Sequence, residues 1–128
     1  MSRYFGTDGL RGRVGELLTE DFVVRLANAI ADFVGSGIVY IGRDTRPSGE
    51  WIEQTFIDVF TATGIKVKCL GIIPTTALSY IVARTDANLG VMITASHNPE
   101  PWNGVKIFDA TGRKLKTEEV LQIERNLD

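Results

Sequence analysis

Thr94, Ala95, Ser96, His97, Asn98 and Pro99 follow directly on an apolar run, so a hydroxyl, an imidazole and an amide stand side by side where a buried strand ends. Ser96 is a candidate nucleophile. A serine hydrolase calls for a glycine-flanked serine on a strand-to-helix turn and a distant histidine as base. The chain has no G-x-S-x-G string, and its single histidine is His97. Neighbouring residues of an extended chain point to opposite sides, which places His97 poorly for deprotonating Ser96. Ser96 reads better as a phosphate carrier. A phosphoserine brings nearly two negative charges near neutral pH and three acceptor oxygens, which donors must hold. Arg11, Lys106 and His97 are the donors on offer. Arg11 lies between Gly9 and Gly12, where backbone amides and a guanidinium can approach an anion closely. Lys106 follows Asn103 and Gly104 and can act as a point charge, a proton-transfer group or both.

The elements that must position these groups follow from periodicity and punctuation. Thr19 precedes Glu20 and Asp21 as a helix cap, and Phe22, Leu26, Ile30 and Phe33 recur at helical spacing until Gly35. Ile38 to Ile41 is a short, β-branched, buried strand. A second helix starts at Ser48, read as its cap, and ends at Gly64. Lys66 to Leu70 is a strand, with Cys69 read as inert core. Pro74 and Thr75 introduce a third helix, from Thr76 to Arg84. Leu89 to Ile93 is a strand, Ala95 to Asn103 a loop, and Val105 to Phe108 the last strand. Thr117, Glu118 and Glu119 cap a closing helix. This alternation predicts an α/β domain, three layers α/β/α, with a mostly parallel four-stranded sheet and its last strand antiparallel at an edge. Chemistry then gathers beyond the carboxyl ends of the strands, in Gly6 to Gly12, Gly42 to Gly49 and Thr94 to Gly104. Arg43, Asp44 and Arg46 have two open readings: they line the cleft, or they form an ion-pair network bracing two loops. Trp51 and Trp102 read as packing groups.

Composition narrows the partners. The chain has 128 residues, 44% hydrophobic and 23% charged, with 14 basic against 16 acidic side chains. That is one ordinary domain, without the basic surplus that grips nucleic acid. No apolar run reaches the 18 or so residues of a membrane span. The lone Cys69 and the lack of a signal-like N-terminus point to a cytoplasmic setting, with neither membrane nor nucleic-acid partner.

Three strings taken together resemble the first domain of the α-D-phosphohexomutases: YFGTDGLRG (Tyr4 to Gly12), GRDTRPSG (Gly42 to Gly49) and TASHNPEPWNGVKIF (Thr94 to Phe108). The FGTDGLRG form is similar to that of the bacterial phosphoglucosamine mutase branch. The resemblance implies that Ser96 is the phosphorylated serine and offers a phosphate oxygen to Mg²⁺. It implies that Arg11 and Lys106 assist proton transfer and charge stabilisation, and that His97 helps position phosphoserine and substrate. The implied reaction shuttles phosphate between two sugar hydroxyls through a bisphosphate intermediate. It further implies that residues 1–128 are one of four domains. The others would supply metal-binding aspartates, sugar recognition and a phosphate clamp, leaving this chain inactive or nearly so alone. No D-x-D-x-D string occurs in the chain, and Trp102 stands where the aminosugar branch has an aspartate. Glucosamine phosphate is the substrate expected first, with glucose and mannose phosphates as alternatives. A non-catalytic phosphosugar-binding module and a purely structural interaction domain are the competing readings.

Overall fold

A computed structural model describes residues 4–6 and 9–127. Its elements are β1 (Phe5–Gly6), β2 (Gly9–Arg13), α1 (Glu20–Val34), β3 (Ile38–Arg43), α2 (Gly49–Ala62), β4 (Lys66–Ile72), α3 (Thr75–Ala83), β5 (Leu89–Ile93), β6 (Trp102–Asp109) and α4 (Thr117–Leu127). The strands form one sheet in the order β1-β2-β6-β5-β3-β4. β3 runs parallel to both β4 and β5, and the pairings β5 with β6, β6 with β2, and β2 with β1 are antiparallel.

The sheet is therefore mixed and six-stranded rather than four-stranded and mostly parallel; the last strand is antiparallel as expected, but it lies inside the sheet between β2 and β5 instead of at an edge. The two additional strands come from the glycine-studded opening. That segment has almost no apolar alternation, because only Leu10 among the five residues of β2 is a buried hydrophobic. Its pairing is fixed by close approach instead. A Cβ on Gly9, whose φ is +87°, would run into the Val105 carbonyl of β6. β6 also starts earlier than its apolar core implies, at Trp102, since pairing with β2 extends it through Asn103 and Gly104.

Handedness distributes the helices. β3 to β4 steps one way across the sheet and β4 to β5 steps back over β3, so right-handed crossovers put α2 and α3 on opposite faces. α1, α2 and α4 cover one face, where Leu26, Ile30, Phe56, Phe60 and Ile123 meet Val39, Ile41, Val91 and Ile93. α3 covers the other, where Leu78 and Val82 meet Tyr40, Met92 and Phe108. With both faces covered, every residue of β5 is buried.

Several local expectations hold and others change. Thr19 Oγ1 accepts the Phe22 N–H at 3.1 Å, a cap that contributes about 1 kcal/mol. Ser48 does not cap α2: its own backbone is already helical, and its hydroxyl accepts from Asn103 Nδ2 at 2.8 Å instead. At α4 the capping carboxylate is that of Glu119, which accepts the Lys116 N–H at 2.8 Å. Glu124, buried on the same helix, accepts the N–H groups of Tyr4 and Phe5 at 2.8 Å each and so ties β1 down. Cys69 is not core; it is exposed on the edge strand β4. Partial burial of its thiol, then the nearby charge of Glu53, raises its pKa. No described helix is long and apolar enough to cross a membrane.

Candidate functional site

β5 delivers its C-terminus to the rim of the sheet, and the chain turns sharply there. Thr94, buried, donates its N–H to the Gly104 carbonyl at 2.9 Å. Its hydroxyl accepts the Ser96 N–H at 2.9 Å and donates to Asp44 Oδ2 at 2.7 Å. The turn this closes puts Ser96 at φ +55°, where it alone among the described non-glycine residues has positive φ. Such a conformation costs about 1 kcal/mol in a residue with a Cβ.

The loop after β3 holds that turn from the other side. Arg46 donates its backbone N–H and its Nε to the two oxygens of Asp44, at 3.1 Å each. Its Nη2 donates to the Ser96 carbonyl at 2.7 Å, and its Nη1 to the carbonyls of Pro99 at 2.8 Å and Trp102 at 3.1 Å. The Arg46 side chain is 10% exposed. Arg43 takes no part: it faces back to α2, 3.5 Å from Glu53. Both readings of this triplet hold for Asp44 and Arg46, which brace the two loops and also line the cavity beside Ser96, while Arg43 ties β3 to its own helix.

Arg11 reaches the serine loop from β2, donating Nη1 to Asn98 Oδ1 at 2.5 Å. Gly104 makes that approach possible. It lies opposite Arg11, and a Cβ there would overlap the Leu10 carbonyl and sit 3.0 Å from the Thr94 carbonyl and 3.1 Å from Arg11 Cα. Lys106, two residues on, projects on the same sheet face as Arg11. His97 is exposed and makes no hydrogen bond among the described residues.

The four residues named from the sequence do not line one cavity. Ser96 opens on a polar one of about 410 Å³ with Asp44, Thr45, Arg46 and Glu100. Lys106 lines another of about 420 Å³ with Phe5, Gly9, Lys114 and Leu115. Arg11 connects to the serine loop through Asn98, and His97 lines neither. Among the described residues no three His, Cys, Asp or Glu side chains gather as a metal site. Asp44, the carboxylate next to Ser96, is already engaged by Arg46 and Thr94.

The sequence matches the family described as "Phosphoglucomutase/phosphomannomutase, alpha/beta/alpha domain I" over residues 2–128. The chain belongs to that family. It is 41% identical over 128 residues to a probable phosphoglucosamine mutase of Methanopyrus kandleri, covering 100% of this chain and 28% of the relative. It is 45% identical over 134 residues to the phosphoglucosamine mutase of Rhodococcus erythropolis, covering 100% of this chain and 30% of that protein. A crystal structure of a putative phosphomannomutase from Thermus thermophilus superposes with a TM-score of 0.91 at 37% identity, over 97% of this chain and 29% of its own. The phosphoglucomutase/phosphomannomutase domain I described here thus spans less than a third of the length of these relatives.

In this domain I, sequence reasoning left Thr94 and Asn98 without roles of their own, and left the Asp44–Arg46 pair open between lining the cleft and bracing the loops. Two of them carried a readable signal. Thr94-x-Ser96 and Asp44-x-Arg46 both have the spacing at which a short polar side chain accepts the N–H two residues on, and both do so. The reach of Arg46 to three carbonyls, and of Arg11 to Asn98, spans roughly 50 residues of chain or more and leaves no local pattern.

Proposed function

We propose that this chain is the catalytic-serine domain of a phosphosugar mutase that interconverts 6-phospho and 1-phospho hexoses. It is the first of four domains, inactive or nearly so without the others, and glucosamine 6-phosphate is its foremost substrate. Ser96 carries the phosphoryl group. A sugar hydroxyl oxygen attacks its phosphorus; the new O–P bond forms as the Oγ–P bond breaks. The hydroxyl proton passes by way of Lys106 to the departing Ser96 oxygen. The resulting bisphosphate returns its other phosphate to Ser96 by the reverse exchange. Arg11 stabilises charge on the phosphoryl group in flight, which is the main electrostatic demand of such a transfer. His97 positions phosphoserine and substrate. Mg²⁺, expected from the resemblance, would find only the Ser96 phosphate here, because the described residues do not make a metal site by themselves.

The observation that carries the reading is the presentation of Ser96 on a strained turn at the mouth of a polar cavity, with Arg11 bonded to the same loop. The names of the 41% and 45% identical relatives favour glucosamine phosphate. The name of the 37% identical Thermus protein favours mannose phosphate as the second reading.

The test is intact mass followed by peptide mapping after incubation with glucose or glucosamine bisphosphate, for the chain alone and joined to the remaining domains. The expected result is a gain of about 80 Da on Ser96 that is abolished by Ser96→Ala. Absence of phosphate in both forms overturns the reading.

A further inference from the structure

We infer that Arg46 is a positioning residue for the Ser96 nucleophile, acting with Asp44 and Thr94 as a clamp that holds the serine in its left-handed conformation. The inference rests on the function proposed above for Ser96. Both backbone polar groups of Ser96 are taken: the N–H by the Thr94 hydroxyl, the carbonyl by Arg46 Nη2. Asp44 links the two halves, accepting from Thr94 and from Arg46. Strained conformations persist only where their surroundings over-determine them, and φ of Ser96 is fixed from both ends by one connected network. Arg46 also holds the carbonyls of Pro99 and Trp102, so it sets where the loop leaves the sheet and where it rejoins β6. A lysine there has no planar fork with which to bond Asp44 and three carbonyls at once.

The same side chain manages charge. Asp44 borders the Ser96 cavity, and a phosphoserine dianion there would be repelled by a bare carboxylate. Arg46 neutralises it from 3.1 Å. Ser96 itself is only half-buried, so its freed N–H and carbonyl can turn to water, and loss of the clamp lets it relax to negative φ and swing its Oγ away from the cavity. The fold survives; the alignment does not.

The experiment uses Arg46→Ala, Thr94→Val and Thr94→Ser in the intact protein, measuring turnover of hexose phosphates and amide hydrogen exchange by NMR. Thr94→Val is nearly isosteric and removes only the hydroxyl, which guards against misfolding. Expected is a fall in kcat of about 100-fold for Arg46→Ala and Thr94→Val, with KM changed by less than about threefold. Exchange at the Ser96 amide quickens by about tenfold or more, while the Val91 and Ile93 amides of β5 keep their protection. Thr94→Ser retains the hydroxyl and recovers most of what Thr94→Val loses. Unchanged exchange at Ser96 in both damaging variants overturns the clamp, as does a rise in KM with kcat intact. A native protein that neither turns over hexose phosphates nor accepts phosphate strikes the proposed function instead, and exchange at Ser96 still decides the clamp.

Discussion

The parallel half of the sheet, β3, β4 and β5, and the antiparallel half, β1, β2 and β6, are held together by different physics. In the first, β3 and β5 are apolar runs pressed between helices, with β4 as the exposed edge, and burial holds them: Phe56 and Phe60 of α2, both fully buried, meet with ring centroids 5.6 Å apart at a 42° tilt. In the second, strands approach through glycines, and polar side chains lock the loops between them. Arg11 and Lys106 stand in that second half, and the serine loop joins the two. The candidate site draws on both: Arg11 and Lys106 come from the second half, while Ser96, Asp44 and Arg46 sit on the loops that leave β5 and β3 of the first.

Phe56→Ala is the sharpest way to damage the first half. Removing a fully buried ring should cost about 3–5 kcal/mol, seen as a fall in the urea midpoint at unchanged m, with all strands losing protection together. If β2 kept its protection after this change, the two halves would unfold as separate units.

Gly104→Ala attacks the second half. Its Cβ meets carbonyls of Leu10 and Thr94 and the Arg11 backbone, none of which can swing aside as a side chain would. The expected cost is about 2–3 kcal/mol, read by the same denaturation. Exchange should quicken more from Leu10 to Gly12 than in β3, whose amides lose protection only by the global loss, and Arg11 should lose its bond to Asn98. Equal loosening of β3 and β2 would show instead that one cooperative core carries both.

The same division explains what was legible beforehand. The helices and the buried strands announce themselves because burial leaves either a helical period, as in Phe22, Leu26 and Ile30, or a short unbroken apolar run, as in Leu89 to Ile93. β2 left neither, because what lets it meet β6 is the absence of side chains at Gly9 and Gly104, and an absence has no periodicity. Ser48 misled for a related reason: a serine ahead of a helix satisfies the capping rule, yet Asn103, 55 residues away, claimed its hydroxyl. For the site, the strings put forward Ser96, His97, Arg11 and Lys106 as candidates, but the network through Asp44, Thr94 and Arg46 depends on two loops meeting in space.

The smallest expected effect lies at the end of β6, away from both loops, and tests whether polar locking in the second half matters outside the site. Partial burial pushes the Asp109 carboxyl up. Hydrogen bonds from the Thr111 hydroxyl and from the Thr111 and Arg113 N–H groups outweigh it, with the Lys116 charge assisting, and hold its pKa below the ordinary value. A carboxyl depressed in the folded state stabilises above its unfolded pKa of about 3.9, and that contribution is lost as pH falls through the folded value, because the unfolded chain binds the proton first. The group is largely solvent-exposed, so screening keeps the effect within about 1 kcal/mol. Native protein should therefore be slightly more stable than Asp109→Asn near neutral pH, with the gap closing below about pH 4 in thermal melts. A gap that widened on acidification would reverse the sign and show that the turn from Asp109 to Arg113 favours the protonated acid.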